Sequence, residues 1–425
     1  MNRKFWYALA LALLAALMMY PHYALADGTR LGGWFPISIQ PESEVHPAVA
    51  HNSQSGEYLV VVYYDRPGND DVRALRVSRH GYVLSGVWVS AGPGAERRFP
   101  DVAYNVDRNE YLVVWEHTIP PSGPTPELTT IRGQRLTGEG ALTGGEIIIA
   151  DPGGTAYVGK PAVEYAYTSK KYLVVWERFL SGGVSFDICS QSLWGDGTVD
   201  GSGVSLAQGD WSYSHRNPDL AYNRRSNGFL VAWERLDKSA SITDIFGRLV
   251  HGSGGPMPDT IEIMRVSTNQ TNPSVASIPT ATPTGQFLVA WEMQYAPSDK
   301  DIMGRLVNGD GTMGSNATYY ACLNGVNETS PAVAGSEDGQ QYLLIWSQPN
   351  PVLGTTINAL TINTAGQAGS EGMSMELGGL NSIYSAVASG PSGDFLVAAE
   401  FTGNAWDVIG WLWGNRTYFP LLAKH

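Results

Sequence analysis

Between Asn217 and Val250 the chain reads NPDLAYNRRSNGFLVAWERLDKSASITDIFGRLV, three short apolar runs separated by polar stretches, and this unit recurs along most of the sequence. The first run, strand a, opens at Pro47, Pro100, Pro161, Pro218, Pro273, Pro331 and, with serine in place of proline, Ser385. Successive starts lie 53, 61, 57, 55, 58 and 54 residues apart. Strand b reads YLVVVY from Tyr58, YLVVWE from Tyr111 and Tyr172, FLVAWE from Phe229 and Phe287, YLLIWS from Tyr342 and FLVAAE from Phe395. Strand c reads DVRALRV, TIRGQRL, DICSQSL, DIFGRLV, DIMGRLV, TINALTI and DVIGWLW. Short runs rich in Val, Ile, Leu and aromatics, bounded by Gly, Pro, Asn or Asp, are strands. A repeat of this length built from strands implies small sheets stacked around an axis, because one such sheet cannot bury its faces alone.

A glycine-ended turn follows strand c in several copies (SRHG at Ser78, TGEG at Thr137, WGDG at Trp194, NGDG at Asn308, NTAG at Asn363), and a fourth strand follows the turn. The expected fold is therefore all-β, a seven-bladed β-propeller of four-stranded antiparallel blades. The seventh copy stops near Trp413-Gly414-Asn415 without a strand d. Trp34 to Ile39 precedes Pro47 by about the spacing at which VWVS precedes Pro100, so the N-terminal strand is expected to close the last blade. The competing closure is the strand-like C-terminal run Arg416 to Leu422, which breaks the phase of the repeat. Closing the ring this way leaves no open blade.

Residues 1–26 have the form of a signal peptide: Arg3 and Lys4, an apolar core from Phe5 to Met19, and the small-residue site Ala24-Leu25-Ala26. That core is shorter than the roughly 20 residues a spanning helix needs. The expected layout is a leader over 1–26, one propeller over 27–415 and a tail over 416–425, with the mature protein secreted, extracellular and monomeric. Without the leader, 25 basic face 40 acidic side chains, a formal charge of −15. This balance argues against nucleic acid and membrane insertion as modes of action. Cys189 and Cys322 fall in copies three and five, too far apart in a ring for a disulfide, and are expected as two buried thiols.

The repeated YLVVWE…DI-x-G-R pattern resembles the repeats of secreted bacterial β-propeller proteins. That resemblance implies fold and export and attaches no activity. The terminal Tyr418-Phe419-Pro420-Leu421-Leu422 is similar to short tails of some bacterial exported proteins, whereas the sialidase box S-x-D-x-G-x-x-W is not seen.

Glu116, Glu177, Glu234, Glu292 and Glu400 close strand b and recur in five copies, which points to a repeated structural bond at the b–c loop rather than to a catalytic centre. The b–c loops and d–a links vary most and emerge on one face, where a rigid scaffold usually carries binding residues. The ligand-binding candidates are Arg97, Arg98, Tyr157, Trp211, Tyr213, His215 and Arg216, a set of stacking faces and donors suited to a glycan or an extracellular protein. The bland reading of Trp211 and Tyr213 is that they cover blade edges. A second set, Asp101, Glu164 and Asp219, replaces Ala or Ser on strand a and is expected to face the central channel. Those three carboxylates suit a glycoside hydrolase or polysaccharide lyase, or a cation such as calcium. The acidic turns GDGTVDG and NGDGT lack the oxygen ligands of an EF-type loop, and the eight His show no zinc spacing, so no cofactor is expected. A binding or scaffold module is the leading reading; enzyme, and structural part of an extracellular or envelope assembly, are the alternatives.

Overall fold

The computed structural model describes residues 33–40, 42–66, 68–121, 127–180, 183–278, 283–322, 325–350, 354–376, 384–390, 393–402 and 406–414; the leader and the tail lie outside them. Seven antiparallel four-stranded sheets form a seven-bladed β-propeller. Blade 4 shows the plan, with strand a at Tyr213–Asn223, b at Gly228–Asp237, c at Ile242–His251 and d at Pro256–Met264. No described helix is long and apolar enough to cross a membrane.

The last blade orders its strands Phe35–Ser38, Trp406–Trp413, Phe395–Thr402 and Ser385–Ser389, so the N-terminal strand supplies strand d. Phe35 pairs with Gly410, and a Cβ on Gly410 would stand 2.6 Å from the Phe35 ring. The same column explains the glycine of the DI-x-G motif elsewhere. A Cβ on Gly133 would meet Ile149 at 3.0 Å, on Gly247 Ile263 at 2.9 Å, and on Gly304 Tyr320 at 2.6 Å. In each case a bulky strand-d side chain crosses over a bare strand-c backbone. Phe35 therefore does for blade 7 what Ile149 does for blade 2.

The core lies between blades. Trp115, Trp233 and Trp291, the aromatic ends of strand b, are fully buried. Trp233 packs with Val175 and Ile188 of blade 3, and the closing wedge joins Ile37 and Leu396 of blade 7 to Tyr58 and Val60 of blade 1. At the rim, Arg248 and Arg305 donate to the carbonyls of Leu206 and Ile263 in the preceding blade, at 2.7 and 2.8 Å. Cys189 is buried and Cys322 exposed, both free; the expectation of two buried thiols holds for Cys189 only, because Cys322 follows a short outer strand.

Strand a begins earlier than its proline. In blade 2 it spans Glu96–Asn105, and its pairing slips between Arg98 and Asp101. Two residues, Phe99 and Pro100, thus oppose the single Trp115. The same two-for-one bulge holds at His46-Pro47, Lys160-Pro161, Asn217-Pro218, Asn272-Pro273 and Ser330-Pro331. A bulge suits proline, which has no N–H to give to a ladder.

Candidate functional site at the loop-face mouth of the channel

The residue before each of these prolines adopts a left-handed backbone: His46 (φ 52°), Phe99 (50°), Lys160 (50°), Asn217 (49°), Asn272 (52°) and Ser330 (54°). For residues other than glycine this conformation is uncommon and strained, so something must hold it. The recurrent strand-b glutamates do so for five of the six; Phe99 follows blade 1, whose strand b ends in Tyr63 instead of a glutamate. Glu234 accepts the backbone N–H of Asn272 at 2.8 Å, Glu292 that of Ser330 at 2.8 Å, Glu177 that of Asn217 at 3.1 Å and Glu116 that of Lys160 at 3.4 Å. Glu400 accepts that of His46, linking blade 7 to blade 1. Each glutamate therefore latches the next blade's bulge, and Glu292 also pairs within its own blade with Lys300, at the end of its b–c loop, at 2.7 Å. The strand-c aspartates hold the link after strand d instead: Asp71 takes the N–H of Gly92 at 3.0 Å and Asp187 that of Gly209 at 2.8 Å. Burial pushes the Glu116 carboxyl up to about 7 and Glu400 up to about 8.

These latches fix a ring of unlike side chains where strand a enters the channel on the loop face. One arc is aromatic. The His46 ring lies 3.9 Å from Tyr384 of blade 7 and 4.9 Å from Phe99 of blade 2, with Tyr63 5.5 Å away. The other arc is polar: Lys160 donates to the side-chain amide oxygen of Asn217, the Asn217 amide nitrogen donates to Glu234 at 2.7 Å, and that of Asn272 donates to Glu292 at 2.7 Å. Burial, aided by the Lys160 charge, pulls His46 down to about 4, so its imidazole is neutral at physiological pH. Tyr384 is 42% exposed, and Asn272 is exposed as well.

The residues singled out from sequence are distributed around this ring rather than within it. Arg97 is buried, its guanidinium used up on Ser90, Gly92, Ala95 and the Asp70–Asp71 turn. His215 is buried too; it accepts the Trp233 indole N–H at 3.0 Å, and burial together with Arg235 holds it down to about 4. Tyr157 donates to Glu116 at 2.9 Å, joining the latch. Arg98 pairs with Asp70 and with Glu96, and Arg216 lies 4.0 Å over Phe186 and 3.6 Å from Glu177. Tyr213 packs under Arg235 at 4.6 Å. Trp211 is 82% exposed. All belong to strand a or the link before it, but the structure does not gather them into one pocket.

The strand-a carboxylates divide between two roles. Asp101 accepts the N–H of Val163 and Asp219 that of Val275, both in the next blade and both at 2.7 Å. Ser274 does the same for Val333 at 3.2 Å. Asp101 and Asp219 are thus a second set of latches. Glu164 accepts only its neighbour Tyr165's N–H at 3.0 Å and reaches the lumen. Burial pushes all three up, Asp219 to about 6, Asp101 to about 7 and Glu164 to about 8; charge repulsion adds to this for Asp101 and Glu164. Among the described residues no three acidic, His or Cys side chains converge tightly enough to hold a metal ion.

The ring residues themselves were not singled out from sequence. Part of the signal was there: the column holding His, Phe, Lys, Asn, Asn, Ser and Tyr stands next to one that is proline in six of the seven copies.

No family model matches this chain, and no curated protein matches it. Among solved structures it is similar to the α-L-arabinanase of Penicillium chrysogenum complexed with arabinobiose, at 13% identity and TM-score 0.52 over 92% of this chain and 100% of that one. It is also similar to the β-propeller domain of the Trilobed protease from Pyrococcus furiosus (10%, 0.49, 92% and 100%) and to the intramolecular trans-sialidase from Ruminococcus gnavus (11%, 0.48, 94% and 100%). At such identities the likeness is one of fold alone.

Proposed function

We propose that the chain is an exported, non-catalytic binding propeller that takes a glycan at the loop-face mouth of its channel. The observation that carries this reading is the ring itself: one variable column of a repeat, in strained backbone in six blades and latched in five of these, sets an aromatic arc against a polar one. Aromatic faces stack on the apolar face of a sugar ring, and amide and ammonium groups bond its hydroxyls. Lys160 gives one of its three protons to Asn217, which leaves donors for a ligand. The non-catalytic part of the reading is supported by the engagement of Asp101, Asp219, Glu116 and Glu400 with backbone of the next blade, since a general acid or base must be free to meet its substrate. Export rests on the form of residues 1–26. The arabinanase that carries arabinobiose shares the fold, and fold does not transfer function.

The test is a calorimetric screen of neutral oligosaccharides with a turnover assay on every hit. Phe99→Ala and Tyr384→Ala should each weaken the hit about tenfold, equivalent to about 1.4 kcal/mol. A hit that the wild type cleaves and Glu164→Gln does not would replace this reading by the glycoside hydrolase or lyase.

A further inference from the structure

The channel has a second opening on the opposite face, where the a–b and c–d turns lie, and the reading above makes no use of it. A cavity of about 740 Å³ opens there, walled by Val and Ala of strand a and rimmed by the turns. Its polar groups are Glu164 within the bore and His51, Tyr167, Arg224 and Glu337 nearer the rim. Beside this cavity, sharing Asp107 and Thr168 with it, lies a cleft of about 540 Å³ between blades 2 and 3. The cleft adds Arg108, Lys170 and Trp194. The two spaces adjoin along the turn face, from the channel to the outer part of blade 3.

The groove's charges are unusual for so acidic a chain. Its acidic groups are mostly spoken for: Glu337 bonds His51 at 2.5 Å, Asp107 accepts from the Tyr165 hydroxyl at 2.7 Å, and Asp196 caps its own turn through the Thr198 N–H at 2.9 Å. Glu164 is held protonated at neutral pH by burial, so it repels no anion. Two exposed cations keep capacity for a ligand, one of them only loosely paired. Lys170 is 69% exposed and no closer than 4.0 Å to Asp107, and Arg224 is exposed with no ion pair among the described residues. At the outer end Trp194 is 44% exposed, with Lys171 4.1 Å from its ring centre and that lysine neutralised by Asp200 at 2.5 Å. Adjoining hollows with an exposed indole, a loosely paired Lys170 and a free Arg224 guanidinium among the described residues fit an extended anionic ligand with flat apolar faces.

We propose that this turn-face groove, from Glu164 to Trp194, is a second binding site for an acidic oligosaccharide, whose uronate carboxylates pair with Lys170 and Arg224 while one sugar ring stacks on Trp194. The site stands on the other face from the ring of His46, Phe99 and Lys160, so either can fail alone. An acidic peptide would satisfy the cations but not the indole's preference for a sugar face, and it serves as the counter-probe.

The experiment titrates the full chain with trigalacturonate, its methyl-esterified neutral form and hexaglutamate, by calorimetry and indole fluorescence. Trigalacturonate should bind, weaken when salt rises from about 20 to about 500 mM as exposed charges are screened, and lose about tenfold in Trp194→Ala. The double variant Lys170→Ala/Arg224→Ala should lose at least as much and flatten the salt dependence, while Phe99→Ala changes nothing. Trp194 and Lys170 are surface residues, and an unchanged melting temperature would confirm that the variants fold. Four results would each overturn the proposal: no trigalacturonate binding at millimolar concentration, equal binding of the methyl ester, equal or tighter binding of hexaglutamate, or affinity that survives Trp194→Ala but not Phe99→Ala.

Discussion

The two mouths of the channel are built from opposite ends of the same strand and owe their chemistry to different devices. On the loop face, six bulges throw the residue before the proline into left-handed backbone, so a single column of the repeat supplies His46, Phe99, Lys160, Asn217, Asn272 and Ser330. On the turn face, strand a runs out regularly between Val and Ala, and the polar groups come from turns, chiefly of blades 1 to 4 and 6. One mouth varies a column that the fold fixes; the other varies loops that the fold leaves free. The difference shows how a symmetric scaffold acquires asymmetric surfaces: repeated latches carry the strain, and the residue under strain is left to vary. If the bulges are what make the loop-face mouth, breaking the ring should damage that mouth first.

The largest effect should come from breaking closure. Removing Phe35–Ser38 exposes the edge of Trp406–Trp413 and takes Ile37 out of the wedge between blades 7 and 1. Exposed edges invite pairing with other chains. The expected outcome is a lower melting temperature and higher oligomers by light scattering, and a monomer of unchanged melting temperature would refute closure by this strand. Gly410→Val is the milder version: it pushes on the Phe35 ring, and overpacking of this kind costs about 1–3 kcal/mol.

Next in size is the latch. Glu234→Ala leaves the Asn272 N–H and the Asn217 amide without their acceptor, which should cost about 1–3 kcal/mol in urea unfolding. Glu234→Gln keeps an acceptor and should recover part of the loss. If the latches serve the loop-face mouth in particular, a ligand of that mouth should weaken more than a ligand of the turn-face groove. Equal weakening at both would mean that the latch supports only the ring as a whole.

Much of this was legible in the chain. The period, the four-strand unit and the closing N-terminal strand followed from apolar runs and turn residues, because those are local properties repeated seven times. The bulge was not legible, because Pro47 or Pro218 reads as the start of a strand when it in fact sits in its middle. That mistake matters for side-chain direction. A two-for-one bulge reverses the alternation, so positions judged outward before the proline can be inward. Arg97 and His215, expected as donors to a ligand, are buried among the links and strands they support. The latches were hidden for another reason: Glu234 and Asn272 are 38 residues apart and meet only across a blade interface. Recurrence alone marked the glutamates as structural, and it could not say which blade they hold.

Proton binding offers a comparison between the mouths that needs no ligand. Glu400 at the loop face and Glu164 toward the turn face both have carboxyls pushed from the usual range up to about 8 in the folded protein. A raised carboxyl pKa means that the folded state holds a proton that the unfolded state has released. The associated stability is therefore complete below about pH 4.5 and falls as pH rises to 8. His46, His117 and His215, drawn down to about 4, act in the other direction, but only between 4 and 6.5. The clean window is pH 6.5 to 8, where the melting temperature should drop with rising pH. Glu164→Gln and Glu400→Gln should each flatten that drop. A melting temperature that rises across this window would show that these groups are not held protonated.

The smallest expected effect decides where on the loop face a ligand sits. Trp211 is the most exposed large side chain there and stands outside the ring, so its removal should change stability by no more than about 0.5 kcal/mol. If binding belongs to the ring, Trp211→Ala should leave the affinity of a loop-face ligand unchanged, whereas Phe99→Ala lowers it. Arg216→Ala adds a graded control, because Arg216 lies against Phe186 and near Glu177, between the exposed tryptophan and the latch. An ordered series, with Phe99 above Arg216 and Arg216 above Trp211, would place the ligand at the channel axis. The reverse order would move the site outward to the link around Trp211 and Tyr213, and the strained column would then be a device of folding rather than of recognition.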